Sequence, residues 1–128
     1  MEKIKFYKTA DGSLGLYNED VKDVYHSKFG AKSEAVEKFV EPSCLRELLR
    51  EKDEIKILDI CYGIGYNTKC SIELMLELTP HRKLIIDGIE ADKNLAELSP
   101  FLDNGSFEVN KIIYNMLNAP KVSYDDDV

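Results

Sequence analysis

Ile55-Lys56-Ile57-Leu58-Asp59-Ile60-Cys61-Tyr62-Gly63-Ile64-Gly65-Tyr66-Asn67 is the stretch on which the fold turns. An apolar strand ends in an acid, passes two glycines set two residues apart, and enters a helical pattern. Nucleotide-type ligands sit at such turns, on the carboxyl edge of a parallel sheet. Gly63 and Gly65 let the main chain approach a ligand with no Cβ in the way. The following helix points its free N–H groups at the same place.

Working outward, the helix runs over about 66–78, with Ile72, Met75 and Leu76 as its inner stripe and Thr79-Pro80-His81 as its end. A second apolar run, Lys83 to Ile89, closes a strand–helix–strand unit, so a right-handed crossover and a parallel pair are expected. Both runs are nearly unbroken, as in strands buried on both faces. Glu90 ends the second strand, 25 residues beyond Gly65. A carboxylate placed there can accept hydrogen bonds from both hydroxyls of a ribose.

Upstream, residues 2–18 read as a β-hairpin turning at Asp11-Gly12-Ser13. Residues 19–32 read mostly as loop. Ser33 suits the cap of a helix over 34–41, which Pro42 stops; Ser43 suits the cap of a second helix carrying Leu45, Leu48 and Leu49. Downstream, 92–99 reads as helix, Asp103-Asn104-Gly105 as turn, 107–109 as a short strand and 110–118 as a last helix closed by Pro120. Tyr124 to Val128 reads as a frayed acidic tail. The fold class is therefore α/β: a hairpin and helices over 1–54, then the first half of a Rossmann-like sheet over 55–128, in one compact unit.

Bulk composition narrows the function. The 128 residues are 44% hydrophobic and 32% charged, with a net charge of −7 that opposes nonspecific attraction to nucleic-acid phosphates. Met1-Glu2-Lys3-Ile4-Lys5 lacks the apolar stretch of a secretory leader, so a cytoplasmic location is expected. Cys44, Cys61 and Cys70 lack the paired spacing of a zinc site and read as structural thiols, each where a small apolar residue would serve. No metal site is expected. His26 reads as a loop histidine, His81 as solvated, and Asp92 and Asp125 to Asp127 as surface charges.

The glycine loop is not the dinucleotide fingerprint, because Thr68 stands where a third glycine belongs. An adenosyl ligand with a sulfonium and an amino-acid tail suits an acidic strand end better than a pyrophosphate does. Residues Asp59 to Asn67 resemble the acid-x-Gly-aromatic-Gly-x-Gly-x-Asn motif of class I S-adenosylmethionine-dependent methyltransferases. More narrowly, they resemble the methyltransferase part of the MnmC family, which modifies the wobble uridine of tRNA. Thr9-Ala10-Asp11-Gly12-Ser13 is similar to that family's opening hairpin. Asp23-Val24-Tyr25-His26-Ser27 with Glu34 and Phe39-Val40 is similar to its next segment, and Ile86 to Ala91 to its second strand. The departure is Cys61, which replaces the first glycine and narrows the loop.

The resemblance spans about 9–92. It implies that Tyr25, Ser27 and Glu34 cover S-adenosylmethionine, that Asp59, Gly63, Gly65 and Asn67 surround its amino-acid moiety, and that Glu90 takes its ribose hydroxyls. It implies tRNA as the methyl acceptor. Nothing after Val109 matches the family's later strands, so no catalytic residue is assigned and the sheet reads as truncated. Strand 55–61 would then be an open edge that invites a second copy. Two alternatives stay open: a non-catalytic cofactor-binding or oligomerisation module, and a methyltransferase of small-molecule amines.

Overall fold

The computed structural model describes residues 3–79 and 81–118. Strands β1 (Ile4–Lys8) and β2 (Leu14–Asn18) form the hairpin, and β3 (Asp23–Val24) adds a short antiparallel strand within a segment expected to be loop. The Asp11 carboxylate at the hairpin turn accepts hydrogen bonds from Thr9 and Ser13, and from the amide and hydroxyl of Ser33. Burial favours the neutral acid, but the bonds from Ser13 and Ser33 outweigh it and hold Asp11 far below the usual carboxylate range. The turn thereby ties itself to the next helix.

That helix, α1 (Ala31–Ala35), starts three residues earlier than expected and continues as a π-helical turn, Val36–Val40. Ser33 lies inside it and bonds Asp11 instead of capping. Helix α2 (Leu45–Glu51) is preceded by Cys44 in the left-handed region, while the Ser43 hydroxyl donates to the Val40 carbonyl. Neither serine caps the helix it was expected to cap. Cys44 and Cys61 are exposed and only Cys70 is buried, so the reading of all three as small core residues holds for one alone.

The strand–helix–strand unit follows as β4 (Glu54–Ile60), α3 (Tyr66–Leu78) and β5 (Lys83–Ile89), with β4 and β5 parallel from Glu54↔Lys83 to Ile60↔Ile89. Helix α3 is the hub: Tyr66, Cys70, Leu74 and Met75 join the main core with Leu16, Leu49 and Ile55, while Ile72 meets Val109, Ile112 and Ile113. Hairpin, helices and sheet thus share one apolar interior.

Asp92 accepts from the Asn94 amide and caps α4 (Lys93–Leu98), which a 3₁₀ turn (Ser99–Phe101) continues. The expected strand at 107–109 does not form. Helix α5 (Phe107–Leu117) occupies it, capped by Ser106, whose hydroxyl accepts from the Val109 amide at 3.2 Å. Val109, Ile112 and Ile113 supply a helical stripe that outweighs the strand preference of three residues.

The sheet departs from expectation on burial. Ile55, Ile57, Leu84 and Ile86 meet the helices, but Leu58, Ile60 and Ile89 are 60%, 62% and 54% exposed on the other face. One face is covered and one is open. A groove of about 500 Å³ runs along the free edge of β4, lined by Phe39, Val40, Leu48, Ile57, Asp59 and Asn67 among others. Among the described residues, no helix is long and apolar enough to cross a membrane. Glu2, Pro80, Pro120 and the 124–128 tail lie outside the described residues.

Candidate functional site

Parallel pairing sets the site. Asp59 pairs with Gly88 and Ile60 with Ile89, so the loop after β4 and Glu90 after β5 emerge side by side on the carboxyl edge. Three residues of that loop take positive φ: Cys61 at 62°, Gly63 at 61° and Gly65 at 86°. Glycine adopts this region freely, whereas a side chain there costs roughly 1–2 kcal/mol. Cys61 carries that strain at the position where the resemblance expects glycine.

The two glycines do different work. An ideal Cβ on Gly63 would meet only the Cys61 carbonyl oxygen, at 3.8 Å, so the space over Gly63 is open. A Cβ on Gly65 would lie 2.6 Å from Cζ of Tyr62 and 3.0 Å from Oγ of Ser99. The Tyr62 ring also packs against Gly88, 3.2 Å from where a Cβ would stand. Gly65 and Gly88 therefore admit a ring beneath the loop, and the space beside Gly63 is open.

Glu90 reaches the same loop. Its Oε2 accepts the Gly63 amide at 2.6 Å and its Oε1 accepts the Asp92 amide at 2.9 Å. A carboxylate has about four acceptor positions, so roughly two remain for a ligand. The Gly63 amide is correspondingly already engaged, which narrows the expected role of this glycine to shape.

Asp59 is buried, and its Oδ2 accepts the Thr68 hydroxyl at 2.6 Å. Burial pushes the Asp59 carboxyl above its ordinary range, bonds from Thr68 and Asn67 pull it back, and the charge of Glu90 adds to the rise. Asp59 thus secures the first turn of α3 as well as lending negative charge. Asp59 and Glu90 put two acids on this edge of the sheet, which suits a cationic ligand group better than a phosphate.

Asp59, Gly63, Gly65, Asn67 and Glu90 are brought together along this edge. Tyr25, Ser27 and Glu34 make polar contacts of their own. The Tyr25 hydroxyl accepts from Asn18 and its residue is 40% exposed; Ser27 Oγ accepts the Phe29 amide; Glu34 pairs with Lys38 at 3.4 Å. Between Tyr25 and Ser27, the His26 ring meets Tyr66 edge-on at 5.0 Å. Its Nε2 is buried without a hydrogen-bond partner among the described residues, and burial lowers the imidazole pKa against the pull of Glu34. No group of three or more His, Cys, Asp or Glu among the described residues could hold a metal ion.

Sequence reasoning missed the residues behind the loop. Tyr62 OH donates to Ser99 Oγ at 2.8 Å, and Ser99 Oγ donates to the Ile64 carbonyl at 2.8 Å. Asn104 Nδ2 donates to the same carbonyl at 3.1 Å. The fully buried Lys69 donates from Nζ to the Ser99 carbonyl at 2.6 Å and to Asn104 Oδ1. One signal was available: Lys69, Ile72 and Leu76 share a helical stripe.

The class is therefore an open α/β sheet with a glycine loop and an acid on the neighbouring strand, of the methyltransferase type. Comparison with solved structures makes this narrower: the chain has an MnmC-like fold. The crystal structure of MnmC2 from Aquifex aeolicus superposes with a TM-score of 0.71 at 27% identity, over 97% of this chain and 39% of that one. The uncharacterized protein MJ0670 of Methanocaldococcus jannaschii is 33% identical over 96 residues, which are 75% of this chain and 24% of that protein. The chain thus spans about a quarter of that relative and about two fifths of the solved neighbour. No family model matches.

Proposed function

We propose that the open space beside Gly63 and Glu90 is a crevice that binds S-adenosylmethionine, and that the chain serves methyl transfer to an aminomethyl group of a tRNA wobble uridine. The observation that carries this reading is the Glu90 carboxylate, turned onto the glycine loop with acceptor positions to spare beside an open space. Glu90 would take the ribose hydroxyls, and Asp59 and Asn67 would lie near the amino-acid moiety. Tyr25 and Ser27, whose hydroxyls accept in their present bonds and keep a donor free, and Glu34 would cover the ligand, as the resemblance implies.

Bound there, the cofactor supplies an electrophilic methyl on sulfonium. A neutral acceptor amine forms the N–C bond as the C–S bond breaks, the electron pair stays on sulfur, and the surplus ammonium proton leaves to solvent. No described side chain is assigned to that proton.

Calorimetric titration with S-adenosylmethionine or S-adenosylhomocysteine tests the binding. Glu90→Ala is expected to weaken it by roughly tenfold to a hundredfold, the value of about 1.5–3 kcal/mol for hydrogen bonds to a charged acceptor. No heat at millimolar ligand with the unaltered chain rejects the pocket. Methylation of undermodified tRNA, compared with polyamine-like amines, separates the two acceptor classes.

A second reading is favoured by the exposed Leu58, Ile60 and Ile89: the open sheet face and the β4 edge assemble with a second copy. Sedimentation is expected to show a species larger than monomer. Leu58→Lys with Ile60→Lys should return it to monomer while leaving the glycine loop intact. A monodisperse unaltered monomer that binds no exposed-apolar dye removes this reading.

A further inference from the structure

Ile64 is buried between the two glycines, and its carbonyl accepts two side-chain donors, Ser99 Oγ and Asn104 Nδ2. Neither donor is held by chance. Lys69 Nζ, one turn into α3, binds the Ser99 carbonyl and Asn104 Oδ1 at once, and Tyr62 OH fixes the Ser99 hydroxyl from below. Glu90 holds the Gly63 amide of the same loop. The loop is thus gripped at two points, the Gly63 amide beside the proposed ligand space and the buried Ile64 carbonyl.

We propose that Lys69 is a positioning residue that, through Ser99 and Asn104, fixes the Ile64 carbonyl on the rear of the loop and so sets the crevice geometry for an adenosyl ligand. A buried ammonium is expensive to keep for packing alone, because the desolvated charge needs compensating partners. An apolar side chain would fill the same space. What the cation adds is orientation. It presents Asn104 with its amide nitrogen toward Ile64, since Oδ1 must face Nζ, and it holds Ser99 where its hydroxyl reaches the same oxygen. The ligand part of this inference rests on the proposed function; the loop-geometry part does not.

Three variants separate the arms. Lys69→Met keeps length and removes the cation. Asn104→Asp keeps an acceptor for Lys69 but loses the donor to Ile64. Ser99→Ala loses the other donor. Each is read by the amide NMR shifts and hydrogen exchange of Gly63 and Gly65, and by calorimetry with S-adenosylhomocysteine, alongside thermal midpoints. All three are expected to shift both glycine amides, and to weaken ligand binding about tenfold for Lys69→Met, the scale of one lost charge-assisted hydrogen bond. The telling result is Asn104→Asp: binding and glycine shifts should change while the thermal midpoint stays close to that of the unaltered chain.

Unchanged glycine amides in Asn104→Asp and Ser99→Ala overturn the proposal, since a merely structural lysine predicts them. If Lys69→Met does not fold, those two variants decide. An unaltered chain that binds no ligand rejects the proposed function alone, and the amide shifts still judge the clamp.

Discussion

Gly65→Ala is expected to cost roughly 2–5 kcal/mol of stability, whereas Gly63→Ala should cost about 1–2 kcal/mol and abolish ligand binding. Both positions take positive φ, so each alanine carries the strain of a Cβ in the left-handed region. The difference lies in what the new methyl meets. At Gly65 it meets the Tyr62 ring at 2.6 Å, and that ring is wedged between the loop, Gly88 and the hydroxyl of Ser99. A ring so confined yields only by moving the loop or the strand, which is how overpacking destabilises a core. At Gly63 the methyl enters open space, the very space proposed for the ligand. Urea denaturation with calorimetry on both variants reads the two effects. Tyr62→Leu in the Gly65→Ala background should recover part of the loss, a coupling that a double-mutant cycle measures. Equal destabilisation by the two alanines would mean that Tyr62 is not the obstacle.

Elements whose signal is local were legible. The periods of β4, α3 and β5 and the glycine pair between them come from consecutive residues, and α3 and β5 have the expected bounds. Glu90 was legible for the same reason, since a strand end is a local feature and parallel pairing carries it to the loop. What failed depended on distant partners. Ser33 was expected as a cap because serine suits caps, but Asp11, 22 residues away, claims its amide and hydroxyl. Phe107 and Val109 have strand-forming side chains, yet Ser106 and the stripe at 109, 112 and 113 make them a helix start. The nearly unbroken apolar runs of β4 and β5 state what both faces can tolerate, not what covers them. Among the described residues only one face is covered. Lys69 was the least legible: a lysine in a helix normally reads as solvent-facing, and only the apolar company of its stripe argued otherwise.

Raising the pH from 7 to 9 is expected to stabilise the protein relative to Lys69→Met, by roughly 1 kcal/mol. Burial lowers the Lys69 pKa from 10.5 to about 8, with Glu73 opposing the shift. A cation whose pKa falls on folding binds its proton more weakly in the native state than in the unfolded chain. Below about pH 8 the fold therefore carries the full cost of the buried charge, and between about 8 and 10.5 the cost is relieved as the native lysine deprotonates first. The whole shift corresponds to roughly 3 kcal/mol, of which the interval from pH 7 to 9 captures about a third. Cys70 opposes it from pH 9 upward, because burial raises its thiol from 9.0 to about 11 and the unfolded thiolate then gains. The useful window accordingly closes near pH 9. Urea midpoints at pH 7, 8 and 9 for the unaltered chain and for Lys69→Met give the difference, with Cys70 nearly common to both because Lys69 is the smallest of the influences on its thiol. A difference that does not change with pH would show that Ser99 and Asn104 compensate the charge fully. Deprotonation would leave Lys69 with two N–H donors and two acceptors to serve, so the Ile64 grip should survive it, and the glycine amides should shift less between pH 7 and 9 than on Lys69→Met.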